Sequence, residues 1–158
     1  MNKTIYLWGK DIEFKASAVT SILFKRTFGK DLTSEFSAYI KHYKEVKKLR
    51  EDFAISDEDS DEVRSEKLEA LTENPIISQL SVMAMDLFPK LAYIMYLEAN
   101  VEQRELFRKL TEDDFIMWLG QFESNDIQNN ISEFMALWSG TSRTSVKPKN
   151  LKGRPSEK

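Results

Sequence analysis

The sequence predicts a mainly α fold: a single helical domain over residues 1–140, opened by a small N-terminal β-hairpin and followed by a disordered basic tail over residues 141–158. Three observations predict it. Apolar residues recur at helical spacing through most of the chain. Only Ile5–Lys15 reads as two short strands about a turn glycine, Gly9. Beyond Leu137-Trp138-Ser139-Gly140 the composition turns polar and cationic. Of the chain's 23 Lys and Arg, six lie beyond residue 142 with one acid, leaving 17 bases against 25 acids and a net charge of −8 in the rest. A chain of 158 residues suffices for one domain that buries roughly 70% of its unfolded surface.

The elements follow in order. Ile5-Tyr6-Leu7-Trp8 and Ile12-Glu13-Phe14-Lys15 form the hairpin arms about Gly9-Lys10-Asp11. Ser17 is a good N-cap for the first helix, and Gly29 a good residue to end it. Val19 and Leu23 share one face of that helix, while Phe24 and Phe28 sit near the opposite one, so it is either sandwiched or partly reserved for a partner. Asp31 can cap a second helix to about Leu49, with Leu32, Phe36, Tyr39, Ile40 and Tyr43 as its stripe and a Lys-rich polar side. Residues 51–62 hold seven acids, whose mutual repulsion predicts an acidic loop over about 54–63, with a fraying helix as the alternative. Val63 to Leu71 is a short helix that ends before Asn74-Pro75. Residues 76–99 are apolar around nearly the whole circumference, which predicts a central helix kinked at Pro89. Asp86, Pro89 and Lys90 near its centre argue against a membrane span. Thr111 opens a helix with a capping-box pattern and the stripe Phe115, Trp118, Leu119 and Phe122. Asn125 or Asp126 caps the last helix, whose stripe is Ile127, Ile131, Phe134 and Trp138 and whose end is Gly140.

Chemistry is sparse. There is no cysteine, hence no disulfide and no thiolate, which suits a reducing cytoplasm. The N-terminus lacks the apolar core of a signal peptide. The only histidine, His42, reads as a solvated helix residue. One His without Cys gives no zinc site. The acidic run Asp57–Asp61 lacks the central glycine and the bidentate Glu of a calcium loop. No phosphate-loop, dinucleotide or nucleophile-elbow motif occurs. The expectation is therefore a non-enzyme without metal or cofactor. The tail could contact phosphates, but it has no aromatic residue to stack on bases and adjoins an acidic body, which disfavours nucleic acid.

Four segments, in order, carry a resemblance. They are Phe14-Lys15-Ala16-Ser17-Ala18-Val19-Thr20 running through Leu23-Phe24-Lys25-Arg26-Thr27-Phe28-Gly29-Lys30-Asp31, then Leu91-Ala92-Tyr93-Ile94-Met95-Tyr96. Phe115-Ile116-Met117-Trp118-Leu119 with Phe122 comes next, and Leu137-Trp138-Ser139-Gly140-Thr141-Ser142 with its Ser/Thr/Lys/Pro tail is last. Together they resemble the short tail assembly chaperones of long-tailed, siphovirus-type phages and prophages of Gram-positive bacteria. Residues 51–75 fall outside the resemblance.

The resemblance implies a protein that binds the tape measure protein and keeps it soluble while the tail is built. It implies action in the cytoplasm of the infected host and absence from the mature virion. It also implies a longer product, made by ribosomal frameshifting, that recruits tail tube protein. Candidate contacts to a client or a second copy are Phe24, Phe28, Met117, Met135 and Leu137, which lie off the main stripes. Arg143, Lys147, Lys149, Lys152 and Arg154 are candidates for contact with an acidic partner. The alternatives are a small DNA-binding phage regulator and a structural tail or connector subunit.

Overall fold

A computed structural model describes residues 1–143. It is mainly α with an N-terminal antiparallel hairpin, as the sequence predicts. Strands β1 (Asn2–Leu7) and β2 (Lys10–Lys15) precede α1 (Thr20–Phe28), α2 (Leu32–Asp52), α3 (Asp61–Thr72) and α4 (Pro75–Asn100). Then come α5 (Gln103–Lys109), α6 (Glu112–Leu119), α7 (Ser124–Gln128) and α8 (Ile131–Arg143). The fold is organised in two compact units: Met1–Asp31 with the chain from Phe88 onward, and Leu32–Leu87. The first boundary follows the left-handed Gly29 that ends α1, and the second falls one residue before Pro89 inside α4.

In the first unit the hairpin turns at Trp8-Gly9, one residue earlier than expected, and pairs Leu7 with Lys10 and Ile5 with Ile12. Both turn residues have positive φ, 51° and 74°, which is the demand of the tight primed turn that matches strand twist. Strand alternation turns Ile5, Leu7 and Phe14 inward. Phe14 meets Phe134 of α8 edge to face at 5.1 Å. The C-terminal half of α4 supplies most of the remaining core: Phe88, Leu91, Ala92, Tyr93, Ile94, Met95 and Leu97 are all buried. The Tyr93 hydroxyl donates to the Lys109 carbonyl at 2.6 Å.

Several local expectations need correction. Helix α1 begins at Thr20, not beside Ser17, because the Ser17 and Thr20 hydroxyls both donate to the Glu98 carboxylate at 2.5 Å. That start turns Thr20, Leu23, Phe24 and Thr27 inward and leaves Val19 exposed. The last helix is two helices, since the chain turns at Asn129-Asn130 between α7 and α8. The restart shifts the buried stripe to Phe134 and Leu137, with Trp138 only half-buried. Gly140 does not end α8, which runs to Arg143. Its missing side chain instead makes room for Met1, whose Sδ would lie 2.9 Å from an added Cβ.

The second unit comprises α2, α3 and the N-terminal half of α4. His42 is half-buried, not simply solvated: Nε2 lies 2.8 Å from the Ile76 carbonyl, an acceptor, so that nitrogen carries the proton and donates. The acidic loop spans residues 53–60. Ser60 caps α3 by accepting from the Val63 N–H, and Asp61 and Glu62 occupy the first turn, where the helix dipole favours acids. Asp59 accepts from Lys67 at 2.7 Å and from the Ser56 N–H at 2.8 Å. Lys67 beside it holds the carboxyl below its usual range.

Candidate partner-binding surfaces

Contact with a partner needs apolar side chains that reach solvent. Of the residues the sequence nominates, Phe24 and Leu137 do not: they are 1% and 2% exposed and belong to the core. Phe24 is drawn inward by the later start of α1, and Leu137 by the restart at Ile131. Phe28 is half-buried, with its ring 5.2 Å from both Phe24 and Phe115 and the Lys90 ammonium 5.3 Å from its centroid. Met135 is also half-buried. Met117 is the nominee that stands clear, at 74% exposure beside the exposed Ile116. Helix α6 therefore buries Phe115 and Trp118 and turns Ile116 and Met117 outward, as its 3.6-residue period requires. Arg143 closes α8, and Lys147, Lys149, Lys152 and Arg154 lie outside the described residues.

The first unit also exposes Phe107 and Trp8, each with a cation over its ring. The Arg26 guanidinium sits 4.7 Å from the Phe107 centroid, and the Lys10 ammonium 4.7 Å from that of Trp8. Such stacking shields part of each ring from water. Trp8 continues a chain of ring contacts through Phe122, Trp118 and Tyr93 to Phe115. Those rings are framework, because Phe115, Trp118 and Tyr93 are buried.

The second unit also exposes apolar side chains, where the sequence nominates nothing. Helix α3 buries no side chain and exposes Val63 and Leu68. The N-terminal half of α4 exposes Ile76, Val82 and Met85, so the all-round burial expected for residues 76–99 holds only from Leu87 on. Among the described residues α4 is long and apolar enough to cross a membrane by length and composition, with 56% of its most apolar window buried. Helix α2 exposes Tyr43 and, with α4 and the loop, lines a groove of about 270 Å³. An apolar groove open to solvent is a candidate interaction site. The signal was present in the sequence: the segment over Val63–Leu71 has too few apolar residues for a stripe, and Val82 and Met85 are out of phase with Leu80, Ala84 and Leu87.

Among the described residues no group of three His, Cys, Asp or Glu side chains is placed to hold a metal ion. The ionisable side chains with partners serve the frame: Glu98 ties two hydroxyls, Lys3 pairs with Glu133, and Asp59 pairs with Lys67. No family model, curated protein or solved structure matches this chain.

Proposed function

We propose that this protein is a non-enzymatic tail assembly chaperone of a long-tailed phage or prophage, one that binds the tape measure protein and keeps it soluble while the tail is built. The observation that carries the reading is the order of the four resembling segments, which runs through the chain from Phe14 to Ser142. The exposed apolar side chains on α3, α4 and α6 are what a holder of long amphipathic helices needs. Holding must be reversible, so each contact is modest, and several copies along one client supply the avidity. The same reading puts the protein in the host cytoplasm and leaves it out of the finished virion. A longer frameshifted product would recruit the tail tube protein.

Co-expression with the tape measure protein, followed by size exclusion, tests the reading. The expected result is a soluble complex where the tape measure protein alone precipitates. A tape measure protein that stays insoluble beside well-behaved, unassociated chaperone overturns it.

A further inference from the structure

The groove in the second unit has a chemistry that selects its occupant. Tyr43, Val46, Ala54 and Leu80 give it an apolar floor and wall. Tyr43, Lys47 and Arg50 recur every three or four residues, which brings them along one side of α2, and Ala54 follows in the loop beyond it. Lys47 and Arg50 stand at its rim with Glu51. Both cations are exposed, and neither has a hydrogen bond or ion pair to a described residue. Lys41, Lys44 and Lys48 extend the cationic surface along α2. A cation that the protein leaves unpaired beside an apolar groove is available to a partner's carboxylate.

We propose that this groove docks an amphipathic α-helix whose apolar stripe is edged by carboxylates. The inference deepens the holding function, on which it rests for the presence of a helical client, by naming that client's chemistry. One large apolar side chain of the helix fills the space between Tyr43, Val46 and Leu80. Acids one turn away, at three or four residues' spacing, meet Lys47 and Arg50. The chain's own segments do not fit. Residues 143–158 carry six cations and have the wrong sign. Helix α3 places Glu62, Glu66 and Glu69 on one face and sets Val63 and Leu68 to either side of the opposite one, so it has no apolar stripe edged by acids. Anionic lipid fits less well than a helix, because the site is a concave groove and not a flat face.

The test uses the full chain and two labelled 18-residue helical peptides with the same leucine stripe. One is flanked by glutamates and the other by lysines, and fluorescence anisotropy reads binding. The glutamate peptide is expected to bind at least tenfold tighter at low salt and to lose that advantage in high salt. Ala54→Trp, which fills the groove from an exposed position, should weaken it at least tenfold. Lys47→Glu with Arg50→Glu should reverse the preference. Unchanged melting curves exclude misfolding of these surface variants. Equal binding of the two peptides, no binding of the glutamate peptide, or binding insensitive to Ala54→Trp overturns the proposal. So does self-association that the same variants abolish, or binding only to phosphatidylglycerol vesicles. A tape measure protein held in solution by the Ala54→Trp variant as well as by the wild type would overturn the groove and leave the holding function standing.

Discussion

At the scale of single residues, burial separates side chains that carry the frame from those free for a partner. Phe24 and Met117 both lie off the stripes that the sequence suggests, yet one is sealed and the other stands in water. Phe24→Ala should destabilise by about 3–5 kcal/mol, since it removes a fully buried ring. Met117→Ala should change stability by no more than about 0.5 kcal/mol, as an exposed side chain does. Urea melts of the two variants check the pair. Trp138→Ala should fall between them, because that residue is neither sealed in the core nor fully exposed. Tyr93 adds a pH signature. Burial, with smaller contributions from Asp114 and Tyr96, pushes its hydroxyl from 10.0 up to about 12. The folded protein therefore holds this proton more tightly than the unfolded chain. The resulting stabilisation is complete below pH 10 and is lost as pH rises towards 12, with an upper limit of about 2–3 kcal/mol. Tyr93→Phe should lower stability at neutral pH, where the hydrogen bond to Lys109 is missing, and flatten the alkaline fall. Melting temperatures of both proteins between pH 8 and 12 read the difference.

At the scale of elements, what was legible in the sequence is what short-range chemistry decides. The strand–glycine–strand pattern gave the hairpin, Gly29 the end of α1, and Thr111 the start of α6, where its hydroxyl accepts from the Asp114 N–H. The phase of the stripes was not legible where a long-range partner or an internal turn resets it. Glu98, 78 residues from Thr20, holds the residues before α1 and delays that helix. The turn at Asn129-Asn130 exchanges Trp138 for Leu137 in the core. For the candidate surface only Met117 was read as exposed and is so, because exposure depends on what packs opposite. The acidic loop shows the same interplay. Charge density predicts an open segment, but Asp59 is tied to Lys67 and Ser56, and Lys67 also donates to the Ala54 carbonyl. The lowered Asp59 value means that this tie is fully present above the ordinary carboxylate range and is lost only as pH falls below it, through the folded-state value. Asp59→Asn should therefore speed amide exchange over residues 54–60 at pH 7. At low pH, with Asp59 protonated, wild type and variant should show the same protection.

At the scale of the molecule, buried side chains are unevenly shared. The second unit buries Leu32, Tyr39, Val46, Ala84 and Leu87, while the first holds all the other apolar core residues. Apolar burial is the main favourable term in folding, at roughly 25 cal/mol per Å² removed from water. Residues 32–87 therefore have less to offset their conformational entropy than the first unit has. Local opening follows the density of buried contacts. Amides of α3, which buries no side chain, should exchange with solvent within seconds to minutes at neutral pH. Those of α4 from Phe88 to Leu97 should persist until global unfolding, and α2 should fall between. Hydrogen exchange with fragment resolution measures the order, and uniform protection across both units would contradict it. If an amphipathic helix occupies the groove beside Tyr43 and Leu80, the glutamate-flanked peptide should slow exchange in α2 and at the start of α4 and leave the first unit unchanged. A surface that gains order from its partner binds it reversibly, because part of the interaction energy goes into ordering the surface itself.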